Sequence, residues 1–110
     1  MNGAKRIAAE RKRQIKEEGW SEYHDDVTWS HGELARAAAC YAMPGYIRKK
    51  LVGDVRSKVG LFDIWPWNVA HWKPAPDNRI RELEKAGALI VAEIDRLLRL
   101  EKGEGQCAEN

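Results

Sequence analysis

Apolar positions recur at helical spacing in two stretches of the chain, and polar or aromatic segments separate them. The clearer stretch carries Ile80, Leu83, Ala86, Ile90, Ile94 and Leu97, with Leu89, Val91 and Leu98 widening the stripe. Pro76-Asp77 precedes it as a start signal and Gly103 follows as a stop. The spacing predicts a long amphipathic helix that turns this stripe into the core. Gly87 in its interior costs about 1 kcal/mol relative to alanine, which predicts close packing at that point against the alanines of an earlier helix. That earlier helix is read from Leu34, Ala35, Ala37, Ala38, Ala39, Cys40, Tyr41 and Ala42. Ser30-His31-Gly32-Glu33 has the form of a capping box at its start, and Pro44-Gly45 ends it.

Residues 4–18 also favour a helix, stopped by Gly19, but its apolar stripe is thin: Ile7, Ala8 and Ile15. So polar a helix lies on the surface or lines something with its polar face. Glu10, Gln14 and Glu17 share one side of it, with Arg13 nearby. Residues 19–29 read as an ordered loop with Trp20, Tyr23 and Trp29. A second aromatic loop runs from Trp65-Pro66-Trp67 to Trp72-Lys73-Pro74, where the prolines forbid a long regular element. Residues 46–64 are ambiguous. Tyr46, Ile47, Leu51, Val52 and Val55 suit a short helix, whereas Val52, Val55, Val59, Leu61 and Ile64 suit a hairpin about Gly53 or Gly60; a loose helical or irregular insertion fits best. The expected architecture is all-α: one small helical bundle of three to four helices over residues 1–103, two tryptophan-rich loops, and a disordered tail at 104–110.

Composition adds limits. The chain has 110 residues, enough for one domain with a real but thin core. A third of them are charged, yet the formal net charge is only +2. That excludes a polycation built to coat nucleic acid. The charge is segregated: basic from Lys5 to Lys16, devoid of Lys and Arg from Glu17 to Glu33, and basic again from Arg48 to Lys58. Cys40 and Cys107 form no zinc-finger spacing or disulfide framework. No signal-peptide core or membrane-length apolar run is present, so a reducing cytoplasm and no membrane partner are the expectation.

Three groups of residues could carry chemistry. His24, Asp25 and Asp26, with His31, Glu33, Glu10 and Glu17, offer carboxylates and imidazoles for a divalent metal such as Mg2+ or Mn2+. The plainer reading is turn-forming and helix-starting residues, because no fixed-spacing metal motif is present. The five tryptophans, Trp20, Trp29, Trp65, Trp67 and Trp72, all fall in or beside loops. There they can stack on nucleobases, anchor an interface, or fill a small core. The third group, His71, Trp72 and Lys73 with Arg79 and Arg81 at the start of the last helix, suits a phosphate, with Arg11 and Arg13 as further cations. No catalytic triad or glycine-rich phosphate loop can be assembled.

Taken together, the segments Glu10-Arg11-Lys12-Arg13-Gln14, Glu18-Gly19-Trp20, His24-Asp25-Asp26, Gly32-Glu33-Leu34-Ala35, Trp65-Pro66-Trp67, Trp72-Lys73-Pro74 and Lys85-Ala86-Gly87-Ala88-Leu89-Ile90 resemble a family of small accessory proteins of tailed phages and prophages. The resemblance spans nearly the whole chain apart from residues 46–59 and the tail. It implies a phage accessory role, such as blunting a host defence by binding a defence protein or sequestering its nucleotide signal. The all-α nucleotide pyrophosphohydrolases of MazG type hold magnesium through Glu-Glu-x-x-Glu and Glu-x-x-Asp on paired helices, and neither motif is matched here. The leading expectation is a non-enzymatic binder of a nucleotide-like, phosphate-bearing small molecule. Trp20, Trp65, Trp67 and Trp72 would stack on it, and Arg11, Arg13, His24, His71, Lys73 and Arg79 would meet the rest. The alternatives are an inhibitor of a host protein and a metal-dependent pyrophosphohydrolase; a homodimer is compatible with all three.

Overall fold

Small side chains set the centre of this fold. The computed structural model describes residues 2–18, 32–53 and 60–103. Among them run five α-helices: α1 (Gly3–Glu18), α2 (Glu33–Ala42), α3 (Gly45–Gly53), α4 (Leu61–Ile64) and α5 (Arg79–Glu101), with a 3-10 turn at Val69–His71. No strand occurs among the described residues, so the all-α expectation holds. Helices α2 and α5 form the main packed pair, α1 lies along α5, and α4 joins α2 and α3. Alanines on both partners bring α2 and α5 close: Ala37, Ala38, Leu34 and Cys40 meet Ala86, Leu89 and Ala92, and Tyr41, Leu61 and Trp65 close the end.

Helix α2 begins at Glu33. Its N-cap is Gly32, at φ 80° and ψ 13°, and no side chain caps it. That left-handed backbone is one that glycine adopts without strain; Ser30 and His31, the first half of the predicted capping box, lie outside the described residues. The aromatic loop at 19–29, residues 54–59 and the tail at 104–110 also lie outside them. The ambiguous segment resolves as helix on both of its described sides, α3 and the single turn α4. Asp63 accepts from the Gly60 amide at 2.7 Å, and Arg36 donates to the carbonyls of Asp63 and Ile64 at 3.0 Å each.

The largest correction concerns which face α5 buries. Of the predicted core stripe Ala86 and Leu89 are buried and Val91 is half-buried; Ile80, Leu83, Ile90, Ile94, Leu97 and Leu98 are 44–59% exposed. The face turned inward instead carries Glu82, Ala86, Leu89, Ala92 and Arg96. Glu82 fixes this rotation. Its carboxylate, 1% exposed, accepts from Arg48 at 2.7 Å, from Arg79 at 3.1 Å and from the Ala75 amide at 3.0 Å. The same two guanidiniums reach the carbonyls that end α2: Arg48 donates to Cys40 and Tyr41, and Arg79 to Tyr41, Ala42 and Met43. Those carbonyls have no helical partner and carry the negative end of the helix dipole. A buried carboxylate between two arginines thus locks the start of α5 onto the end of α2.

Gly87 does mark a close approach, but by α1 and not by α2. A β-carbon added there would stand 2.5 Å from Ile7 Cδ1 and 2.7 Å from Ile7 Cγ1. Alanine at 87 gains about 1 kcal/mol of helix propensity and loses about 1–3 kcal/mol to overpacking against a β-branched side chain. Gly87→Ala is therefore expected to lower stability slightly in chemical denaturation. Combined with Ile7→Ala it is expected to be stabilising relative to Ile7→Ala alone. Equal effects of Gly87→Ala in both backgrounds would show that Ile7 does not fill that space.

Candidate binding site

Of the two readings open for α1, the structure takes the second: its polar face turns inward. Glu10 and Gln14, 3% and 2% exposed, point inward from a helix whose Ile15 is half-exposed. Arg13 grips Glu10 in a two-pronged contact, Nε to Oε1 and Nη2 to Oε2, both 2.9 Å. Arg81 from α5 adds a third donor at 2.5 Å, and Gln14 Nε2 a fourth at 3.2 Å. Burial alone would raise the pKa of Glu10, but the hydrogen bonds and charges of Arg13 and Arg81 outweigh it and hold the carboxyl below its ordinary range. The Gln14 amide has only one sensible orientation, because its oxygen would be repelled by that carboxylate. Its Oε1 is therefore turned away from Glu10, buried and without a hydrogen-bond partner.

This polar face forms one wall of a cavity of about 400 Å3. Glu10, Arg13, Gln14 and Glu18 enter from α1, Tyr41 from α2, and Lys85 and Leu89 from α5; the aromatic loop adds Trp65, Trp67, Asn68, His71 and Lys73. The aromatic wall is built by mutual packing. Tyr41 stacks on Trp72 with centroids 4.8 Å apart, and Trp65 meets Tyr41, Trp67 and Trp72 edge-on at 5.6, 5.2 and 5.0 Å. Trp65 Nε1 donates to the Asn68 carbonyl at 3.1 Å, and the Lys73 amide donates to Tyr41 Oη at 3.3 Å. Burial raises the Tyr41 pKa, so the phenol stays protonated. Lys85 Nζ donates to the Lys73 carbonyl at 3.0 Å and lies 5.4 Å from the Tyr41 ring centre. Burial, helped by the charge of Arg81, lowers its pKa from the ordinary lysine value. A second hollow of about 310 Å3, lined by Arg6, Ala9, Arg81 and Glu84, shares Glu10 and Arg13 with the first.

Half of the ten candidate ligand residues named from the sequence come together here: Arg13, Trp65, Trp67, His71 and Lys73. Trp65 is also a core residue, 4% exposed, so one ring serves both purposes. Arg11 is buried in α1 away from the cavity, Trp72 stands behind its wall against Tyr41 and Arg48, and Arg79 is committed to Glu82 and the end of α2. Trp20 and His24 lie outside the described residues. The described members of the acidic metal set, Glu10, Glu17 and Glu33, do not come together. Glu10 is neutralised by two arginines, Glu17 is an exposed partner of Arg13, and Glu33 lies at the start of α2. Asp25 and Asp26 lie outside the described residues, and no three His, Cys, Asp or Glu side chains among the described ones group to hold a metal. Cys40 is the buried apolar group its neighbours predicted, its thiol pushed up to about 11 by burial.

Sequence reasoning missed Tyr41, Lys85, Asn68 and Glu18. Tyr41 carried a signal, as a lone polar aromatic on an alanine face. Lys85 carried none, since a lysine within an amphipathic helix reads as solvated. The chain matches no family model, no curated protein and no solved structure. None of its described helices is long and apolar enough to cross a membrane.

Proposed function

We propose that this protein is a non-catalytic binder of a nucleotide-like small molecule, held in the aromatic cavity between α1, α5 and the tryptophan loop. One observation carries the reading: flat aromatic walls, cations and a buried unpartnered acceptor converge on a single space large enough for a nucleoside. A heterocycle stacks on Trp67 and meets the nearly perpendicular Trp65 edge-on, with stacking worth about 1–3 kcal/mol per base in proteins that bind bases this way. An amino group on that ring supplies the donor that Gln14 Oε1 lacks. Lys73 and His71, both exposed at the rim, face the phosphate end. Three cations against two carboxylates leave the lining net positive even with His71 neutral. Glu10, held by arginines, serves the wall as a positioning group and has no free lone pair set for a metal. With the resemblance to phage accessory proteins, capture of this ligand acts by lowering its free concentration, so nucleotide signals of host defence are the first ligands to try.

The test is a thermal-shift and calorimetry panel of mono-, di- and cyclic nucleotides against the full chain. At least one nucleotide is expected to raise the melting temperature and quench tryptophan fluorescence. Trp67→Ala is expected to weaken that binding tenfold or more. Lys73→Ala is expected to weaken the nucleotide but not its nucleoside. A panel in which no nucleotide binds ends this reading.

A further inference from the structure

The face of α5 turned away from α2, which α1 meets along one edge at Gly87, has a pattern of its own. Positions 80, 83, 87, 90, 94 and 97 follow one another at intervals of three, four, three, four and three. This is the seam of a coiled coil, in which side chains from one helix seat between those of another. Five of the six positions hold Ile or Leu, exposed by 44–59%, and Leu98 extends the set. The sixth is Gly87, and there Ile7 of α1 fills the space where its side chain would stand. The stripe is thus continuous from Ile80 to Leu98, roughly 27 Å at 1.5 Å per residue. A contiguous apolar stripe of this kind is the sort of surface that marks an interaction site.

We infer that this stripe is the interface of a homodimer, covered by α5 of a second copy of the chain. The 3.5-residue spacing selects a helix as the occupant, since neither an extended peptide nor a flat sheet presents that period. The stripe is also complementary to itself. In an antiparallel alignment Ile80 meets Leu97 of the second copy, Leu83 meets Ile94, and Ile90 packs at Gly87 beside Ile7. No charged residue interrupts the seam between Ile80 and Leu97, so two copies meet without like charges in contact. The carboxylates on its margins are already neutralised within the chain, Glu84 by Arg6 and Glu93 by Arg96, which leaves no fixed charge to select a foreign acidic or basic partner. The paired stripes form the apolar centre of an interface that needs roughly 800 Å2 from each copy. The inference is independent of the ligand proposed for the cavity.

Sedimentation velocity of the full chain, from low to high micromolar concentration, tests it. The wild type is expected to sediment at twice the mass of one chain. Ile90→Glu and Ile94→Glu are each expected to weaken self-association at least about a hundredfold, because a charge would be buried against apolar side chains. Both sites are half-exposed in the single chain, so far-UV circular dichroism should stay unchanged, which separates loss of pairing from loss of fold. Val69→Glu, an equally exposed apolar site off the stripe, should remain dimeric. A wild-type monomer throughout the range, or an Ile94→Glu variant that still dimerises, overturns the inference.

Discussion

Glu82→Gln is expected to destabilise the fold by about 3–5 kcal/mol, the range for breaking a buried ion pair from one side. The substitution leaves Arg48, 8% exposed, without its carboxylate, and weakens the acceptor of the Ala75 amide. The α2 carbonyls still receive both guanidiniums, which places the loss toward the lower end of the range. Urea denaturation followed by circular dichroism measures it; a loss under about 1 kcal/mol would mean that Glu82 does not hold α5 in its rotation. The same carboxylate shapes the response to acid. Burial would raise the pKa of Glu82, but the hydrogen bonds from Arg79, Arg48 and Ala75 outweigh it, and the carboxyl sits below its ordinary value, as Glu10 does. A group whose folded pKa lies below its unfolded one contributes stability that is complete above the unfolded value, about 4.3 for glutamate. That contribution is lost as pH falls through the folded value. Stability should therefore hold level from pH 7 to 5 and fall in stronger acid, with a shallower acid limb in Glu82→Gln.

Trp65→Ala is expected to cost a similar amount, about 3–5 kcal/mol, because it empties the centre of the aromatic wall. Trp65 touches Tyr41, Trp67 and Trp72 through edge-on ring contacts, each worth something beyond its buried area. Trp65→Phe keeps a ring and gives up the hydrogen bond to the Asn68 carbonyl, so about 1 kcal/mol is expected. The contrast with Trp67 is informative. Trp67 is only half-buried, so Trp67→Ala should spare most of the stability and act on ligand binding. If Trp65→Ala proves no more damaging than Trp67→Ala, the loop does not belong to the core.

The position of the cavity follows from which groups share the α2–α5 junction. The Glu82 network joins the end of α2 to the start of α5, and Tyr41, one residue from that end, carries the aromatic wall. Helix α1 closes the other side through Glu10 and Gln14, themselves held by Arg81 of α5. Binding and stability are therefore coupled through shared residues, and a ligand that fills the cavity should stiffen the contact between α1 and α5.

Helix identity was legible in the sequence because it depends on local rules. Alanine runs, the Pro44-Gly45 stop, the Gly103 terminus and the polar character of α1 each act within a few residues, and each of those elements is where the sequence placed it. The polar face of α1 was legible only as one of two choices, since a helix with so few apolar residues either lies on the surface or turns polar groups inward. Helix rotation was not legible. The apolar periodicity of α5 selected Ile80, Leu83, Ile90, Ile94 and Leu97 along with Ala86 and Leu89, and only the last two are buried; periodicity counts side-chain size without knowing what faces it. Only the tertiary structure brought Arg48, 34 residues away in the chain, onto Glu82. The cavity was half legible for the same reason. Its tryptophans and lysine lie in one loop, whereas Tyr41, Gln14 and Lys85 reach it from three different helices, and a junction between elements distant in sequence is set by packing and long-range charge, which no local pattern encodes.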